Sequence, residues 1–249
     1  GALLTFLPIE YIFLIDVVTA AIGIAVVFFC VRVSAVSKRE HQAGAKAYFH
    51  EMEEGLRYIG RTAWLKTLFV SFALFSIFAS PAMMLTPLQV ARSFGSDVWR
   101  LTAIEIIFAA GMMAGGIVMS AWGGFKNKAH TMVLAWLAFG VTTMLFGVVP
   151  HFWLYLGVML LCGVTVPFFN TASMTLMQTK VPPELMGRVF SAVTIFSGLA
   201  LPLGMALFGP LADMMKIEGL LIATGATIIL GGFVLRGRKE LVRICEENP

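Results

Sequence analysis

The sequence predicts an all-α polytopic membrane protein with seven transmembrane helices. Three observations carry this. Hydrophobic residues make up 59% of the 249 positions and charged residues only 13%, against roughly 45–50% and about 25% in soluble domains. The apolar residues fall in runs of the length, about 20 residues, that crosses a bilayer as a helix. If those runs alternate across a membrane, 15 of the 18 Lys and Arg residues land on one side.

Taken in order, the runs are 11–31, 67–90, 101–122, 131–149, 152–177, 189–213 and 219–235. Residues 1–7 read as the tail of an earlier apolar helix ended by Pro8, so the chain is expected to be part of a longer protein. The only long polar stretch, 32–66, carries Arg32, Lys38, Arg39, Lys46, Arg57, Arg61 and Lys66. The loop with Lys126 and Lys128, the loop with Lys180 and Arg188, and the tail with Arg236, Arg238, Lys239 and Arg243 join it on the same side. Arg92, Arg100 and Lys216 lie on the other. Basic loops are retained in the cytoplasm. The first span therefore enters from outside, the C-terminus is cytoplasmic, and a multi-pass protein of the cell's inner membrane is expected. Trp64, Trp99, Trp122 and Trp153 fall at span ends, where an amphipathic ring prefers to sit. Trp136 lies within the fourth span.

Within 32–66, Ala45, Tyr48, Phe49, Met52, Leu56 and Ile59 recur three or four apart, one helical stripe. This is an amphipathic helix, lying either on the membrane face or docked on its own bundle. The third span is dense in small residues, Gly111, Ala114, Gly115 and Gly116, followed by Gly123 and Gly124; in lipid these let helix backbones approach closely. Pro202 and Gly204 in the sixth span, Pro81 and Pro87 in the second and Pro167 in the fifth are expected to bend their helices. Such bends are hinges for gating or fixed kinks.

The net charge is +4, but the cations cluster at span ends, which argues against a nucleic-acid partner. Cys30, Cys162 and Cys245 are far apart and read as packing thiols, with no disulfide framework or metal site. His41, His50, His130 and His151 lie in loops or at span ends and form no HExxH. No GxSxG occurs and no span holds a close carboxylate pair. The chain is not expected to be an enzyme, and no cofactor or metal is expected.

An ionisable group inside a bilayer is costly and is a functional candidate by default. Glu105, about one turn inside the third span, is the first candidate for proton coupling, with Asp16 in the first span the second. Asp213, at the end of the sixth span, reads as an interfacial anchor. Asn170, Thr171 and Ser173 are the main polar cluster of the fifth span; they contact substrate or join helices. Phe75, Phe78, Met83, Met84 and Phe108 could line an apolar substrate pocket.

Residues 181–191, Val-Pro-Pro-Glu-Leu-Met-Gly-Arg-Val-Phe-Ser, resemble the loop between the tenth and eleventh helices of major facilitator superfamily transporters. The likeness is to the drug:proton antiporter branch that includes macrolide and enterobactin exporters. Glu184 and Arg188 are its charged positions. Residues 13–16 and 52–59 are similar to the same branch. The resemblance covers nearly the whole chain. It implies that 1–31 holds the last helix of an N-terminal bundle, 32–66 the cytoplasmic inter-bundle linker, 67–235 a six-helix C-terminal bundle, and 236–249 a cytoplasmic tail. Gly116, Gly123 and Lys128 resemble a degenerate copy of the family's gating-loop motif, whose acidic and first basic positions here are Ser120 and Ala121. The function implied is secondary active efflux of an amphipathic small molecule by proton antiport with alternating access. Solute uptake, lipid flipping and a non-transporting scaffold are the alternatives. The implied partners are membrane lipids, protons, the amphipathic substrate and the remaining bundle of the same transporter.

Overall fold

The computed structural model describes residues 9–30 and 55–246. The chain divides into two units, Gly1–Phe49 and His50–Pro249. In the first, α1 (Ile9–Cys30) is a single 22-residue helix. At 1.5 Å per residue it is roughly 33 Å long, enough to span a hydrocarbon core. The side chains described on it, Leu14 and 17–26, are all exposed.

The second unit contains α2 (Ala63–Met84), α3 (Thr86–Ser93), α4 (Val98–Trp122), α5 (Lys128–Phe146), α6 (Phe152–Lys180), α7 (Pro183–Met214), α8 (Ile217–Arg236) and the short α9 (Lys239–Glu246). Residues 55–61 form a further helical turn ahead of α2. Six helices, counting α2 with α3 as one, are long and apolar enough to cross a membrane. The spans read from sequence fall on these helices and α1. Most extend a few residues further, because a helix runs on past its apolar stretch into the interface. The second span is interrupted at Leu85. The Pro87 ring would clash with the carbonyl four residues back, so the chain turns and restarts with Pro87 in the first turn of α3. α7 contains Pro202 and Pro210 and continues through both as one element.

α5 is the central helix, packed between α6 and α8; α4 lies against α6, and α2 packs on α7 and α8. At the basic end α9 rests on α2 and α5. Leu241 is buried there and the Asn127 amide donates to the Val242 carbonyl at 3.1 Å. Asn127 also caps α5 by accepting from the Ala129 N–H at 3.0 Å. The amphipathic stretch divides: 45–54 lies outside the described residues, while Ile59 is buried in the bundle core with Leu56 and Tyr58 against it. The described turn is therefore docked on the protein.

Outward, Ile106, Met113, Ile117, Leu154, Leu161, Leu203 and Leu230 are exposed. Water would not tolerate such a surface; hydrocarbon does. Lipid also removes most of the hydrophobic drive for helices to associate, so contact must come from close packing. The helix contacts meet that demand with glycine. A Cβ at Gly111 would strike the Leu160 carbonyl, one at Gly163 the Phe108 carbonyl, and one at Gly115 the Val164 backbone, so α4 and α6 touch main chain to main chain. Gly140 and Gly225 do the same for α5 and α8, and Gly204 of α7 sits on Ser80 of α2. Trp136, unexpected inside a span, is buried with its ring against Gly231 of α8 and 5.4 Å from Phe75. Trp99, Trp153 and Phe152 cluster at the other end, with Arg100 over the Trp99 and Phe152 rings.

One polar network crosses the bundle near the end opposite α9. The buried Gln89 of α3 donates from Nε2 to the Phe146 carbonyl at 2.7 Å and accepts at Oε1 from the Tyr155 hydroxyl at 2.9 Å. α3, α5 and α6 are thereby joined through one side chain.

Two outcomes are expected from melting curves in detergent. Gly163→Ala should destabilise by about 1–3 kcal/mol, the usual cost of overpacking, whereas Gly157→Ala on the same helix, with open space around its Cα, should be neutral or slightly stabilising. Tyr155→Phe leaves the Gln89 oxygen unpaired in the interior and should cost about 1–3 kcal/mol. Adding Gln89→Leu should then cost less than it does alone, so an additive pair would show that the two side chains act independently.

Candidate functional site

A cavity of about 170 Å³ lies among α2, α3, α4, α5 and α6. Its wall is apolar and aromatic: Phe75, Ala79 and Met83 from α2, Ile104 and Phe108 from α4, Phe139 and Phe146 from α5, Met159 and Val166 from α6. Phe75 anchors this wall, stacking on Phe169 at 4.7 Å and lying 4.9 Å from Phe139. Glu105 is the one charged residue in the lining; Cys162 and the Thr86 hydroxyl are the other polar groups.

Glu105 reaches this place through helix geometry. It is seven residues into α4, roughly 10 Å from the helix start, one position past the buried Ile104. Ile104, Gly111, Gly115 and Met119 make the narrow stripe that α4 buries. Glu105 stands at the border of that stripe, on the cavity wall yet exposed. A carboxylate so placed is open on one side while its neighbours in the lining include aromatic rings. The nearest charges along α4, Asp97 and Arg100, pair with each other at 3.5 Å nearer the helix start.

The other candidates are distributed more widely. Phe75 and Phe108 line the same cavity as Glu105, as does Met83. Phe78 faces a larger groove of about 630 Å³ between α2 and α8. Met84 lines a third hollow of about 190 Å³ with Pro81, Gly204 and Phe208. Asn170 and Thr171 are exposed on α6 and line none of these three spaces, whereas Ser173 is fully buried with its hydroxyl unpartnered. The backbone at Asp16 is helical, but its side chain lies outside the described residues. Asp213 is exposed near the end of α7.

Among the gating positions, Pro81 and Gly204 line the same hollow between α2 and α7, where Gly204 sits on Ser80. Pro202, two residues before Gly204 on the same helix, is exposed. Gly123 ends α4 in the left-handed conformation, φ 72°, and Gly124 follows at φ 77°. Lys128 then closes the loop by donating to the Gly123 carbonyl at 2.7 Å. These glycines allow the α4–α5 connection to be five residues long. Gly116 has no neighbour within 4 Å. Glu184 lies exposed in the first turn of α7, and the Arg188 backbone is the contact of Gly55 in the helical turn ahead of α2.

Sequence reasoning missed Gln89 and Tyr155, and named Cys162 as a packing thiol without placing it in the cavity lining. Gln89 carried a usable signal, an uncharged polar residue inside an apolar span. Tyr155 and Cys162 carried none, since both residue types occur throughout apolar helices.

Comparison with known proteins matches this arrangement to a family. Residues 1–205 fit the profile of the Major Facilitator Superfamily. The chain is 26% identical over 217 residues to Macrolide efflux protein A of Streptococcus pyogenes, covering 86% of this chain and 53% of that protein. It is 26% identical over 193 residues to Macrolide efflux protein A of Enterococcus faecalis, covering 77% and 59%. It is 27% identical over 224 residues to Multidrug efflux pump Tap of Mycolicibacterium fortuitum, covering 83% and 52%. The chain thus spans a little over half the length of these relatives. No solved structure gives a significant match. With the family profile covering most of its length and six helices built to cross a bilayer, this chain belongs to the Major Facilitator Superfamily.

Proposed function

We propose that the chain is part of a secondary active transporter that exports an amphipathic small molecule, of the macrolide or multidrug class, in exchange for protons. The observation that carries the proton half is Glu105, a lone carboxylate on the wall of an apolar aromatic cavity. A coupling site requires an ionisable group between an apolar wall and an open side, and Glu105 is the carboxylate this lining places there. The cavity's Phe75 and Phe108 offer apolar contact to a substrate, and Asn170 and Thr171 on the exposed face of α6 offer polar contact from across the unit. The names of the relatives support efflux over uptake.

On this reading residues 67–235 are a C-terminal six-helix bundle, 1–31 hold the last helix of an N-terminal bundle, 32–66 form the linker and 236–249 the tail. The basic end, with Lys66, Lys126, Lys128, Lys180, Arg188 and Arg236, faces the cytoplasm, which places the C-terminus there in the cell membrane. Substrate binds between bundles and access alternates by rocking of one against the other. Pro81 and Gly204 are where α2 and α7 would adjust. Asp16, on the helix assigned to the N-terminal bundle, is the second proton-coupling candidate.

The test is drug efflux by the full-length protein in inverted vesicles, with and without an imposed pH gradient. Glu105→Gln should fold normally and still bind drug, but lose gradient-driven transport by about 10²-fold or more, the scale set by removal of an acid–base group. Unchanged coupling in Glu105→Gln would remove this residue from the mechanism.

A further inference from the structure

The groove between α2 and α8 is larger than the Glu105 cavity and plays no part in the transport reading. Its walls are exposed apolar side chains, Val70 and Leu74 on α2 and Leu230 and Val234 on α8. Charged groups stand only at its mouth, Lys66, Arg238 and Glu240. Neither Lys66 nor Arg238 forms an ion pair among the described residues. Deeper in, Trp136 forms part of the lining; it is 2% exposed, and its indole N–H has no acceptor in the protein.

The dimensions and the charges select an occupant. From Lys66 to Phe78, both in the lining, is twelve residues of helix, roughly 18 Å. One leaflet of a hydrocarbon core of ~30 Å is about 15 Å deep. The groove therefore runs the depth of one leaflet, with cations at the headgroup end and apolar walls below. Among the described lining residues, two cations and one carboxylate give a single net positive charge, matched by one phosphodiester. Gly231, against which Trp136 packs, is five residues before Arg236, roughly 8 Å below the end of α8. The indole nitrogen is itself buried away from the groove, so Trp136 offers an occupant apolar ring surface and no donor.

We propose that this groove is a binding site for one anionic phospholipid, its phosphate held by Lys66 and Arg238 and an acyl chain along Val70, Leu74, Leu230 and Val234, over the Trp136 ring. The lipid fills a gap that protein packing leaves between α2 and α8. It sits against α2, which also lines the Glu105 cavity and makes the Ser80–Gly204 contact with α7.

The experiment is native mass spectrometry on the delipidated full-length protein, titrated separately with phosphatidylglycerol and phosphatidylcholine. Phosphatidylglycerol should occupy one saturable site more tightly than phosphatidylcholine. Lys66→Gln and Arg238→Gln should each weaken it about five-fold, as expected for one basic residue near a headgroup. Glu240→Gln should tighten it. Trp136→Phe should weaken both lipids equally. Leu230→Trp, which fills the groove, should abolish binding at this site. Should that variant fail to fold, a photoreactive side chain at Val234 in the otherwise unaltered protein should crosslink to phospholipid. Equal affinity for the two lipids, insensitivity to both cation variants, or weaker binding in Glu240→Gln, as an aminophospholipid would give, overturns the proposal. So does a Val234 crosslink to another segment of the chain or to a second copy.

Discussion

The structure depends on one constraint, that a helix in hydrocarbon satisfies its own backbone but gains almost nothing by leaving lipid for another helix. Leu against Leu replaces Leu against acyl chain at little net benefit. What lipid cannot reproduce is close contact between main chains, and only glycine permits it. The seam between α4 and α6 is the clearest case. Gly111, Gly115 and Gly163 bring the two backbones so near that any side chain at those positions would strike a carbonyl. The α5–α8 seam repeats the solution with Gly140 and Gly225. There a further glycine, Gly231, receives the ring edge of Trp136, so the largest side chain in the span is accommodated where its neighbour has none.

The same constraint sorts the polar side chains. Most hydroxyls inside the spans bond back to their own helix: Ser71 to the Thr67 carbonyl at 2.7 Å, Thr143 to Phe139 at 2.8 Å, Thr165 to Cys162 at 2.7 Å, Thr224 to Leu220 at 2.9 Å. These need no partner helix and hold nothing together. Gln89 differs because an amide has both donors and an acceptor and cannot close them all locally. It reaches α5 with one and α6 with the other. One amide thus does what several hydroxyls do not, which is to fix the register of three elements at the end opposite α9.

Element positions were legible in the sequence because lipid imposes a long, unbroken apolar run on each span, and little else produces one. The α2–α3 interruption was foreshadowed by Pro81 and Pro87, but its place at Leu85 follows from the clash geometry at Pro87. Face was not legible. These helices are apolar nearly all round, so periodicity could not say which side of α6 is buried, and Asn170 and Thr171 could be named without being oriented. Nor could sequence separate Phe75 from Phe78, three residues apart on one helix. In the structure they line different spaces, one beside Glu105 and one in the groove of Trp136. The Trp136 position, an outlier to the interfacial pattern, was the visible trace of that groove.

The exposure of Glu105 constrains what α4 can face. α4 buries only a stripe of Ile104, Gly111, Gly115 and Met119, and most of its circumference is open, with Ile106, Met112, Met113 and Ile117 outward. Apolar side chains accept lipid or protein equally, so they decide nothing. Glu105 does decide, because a carboxyl held against acyl chains costs several kcal/mol and no cation among the cavity-lining residues offsets it. The border of α4 next to Ile104 must therefore look onto water or onto polar protein surface. The hydrocarbon must lie elsewhere, and the groove between α2 and α8, with charge only at its mouth, has the composition of a surface turned toward it. On the two proposals the unit has distinct faces, one marked by a carboxylate that lipid rejects and the other by two cations at the mouth of an apolar groove.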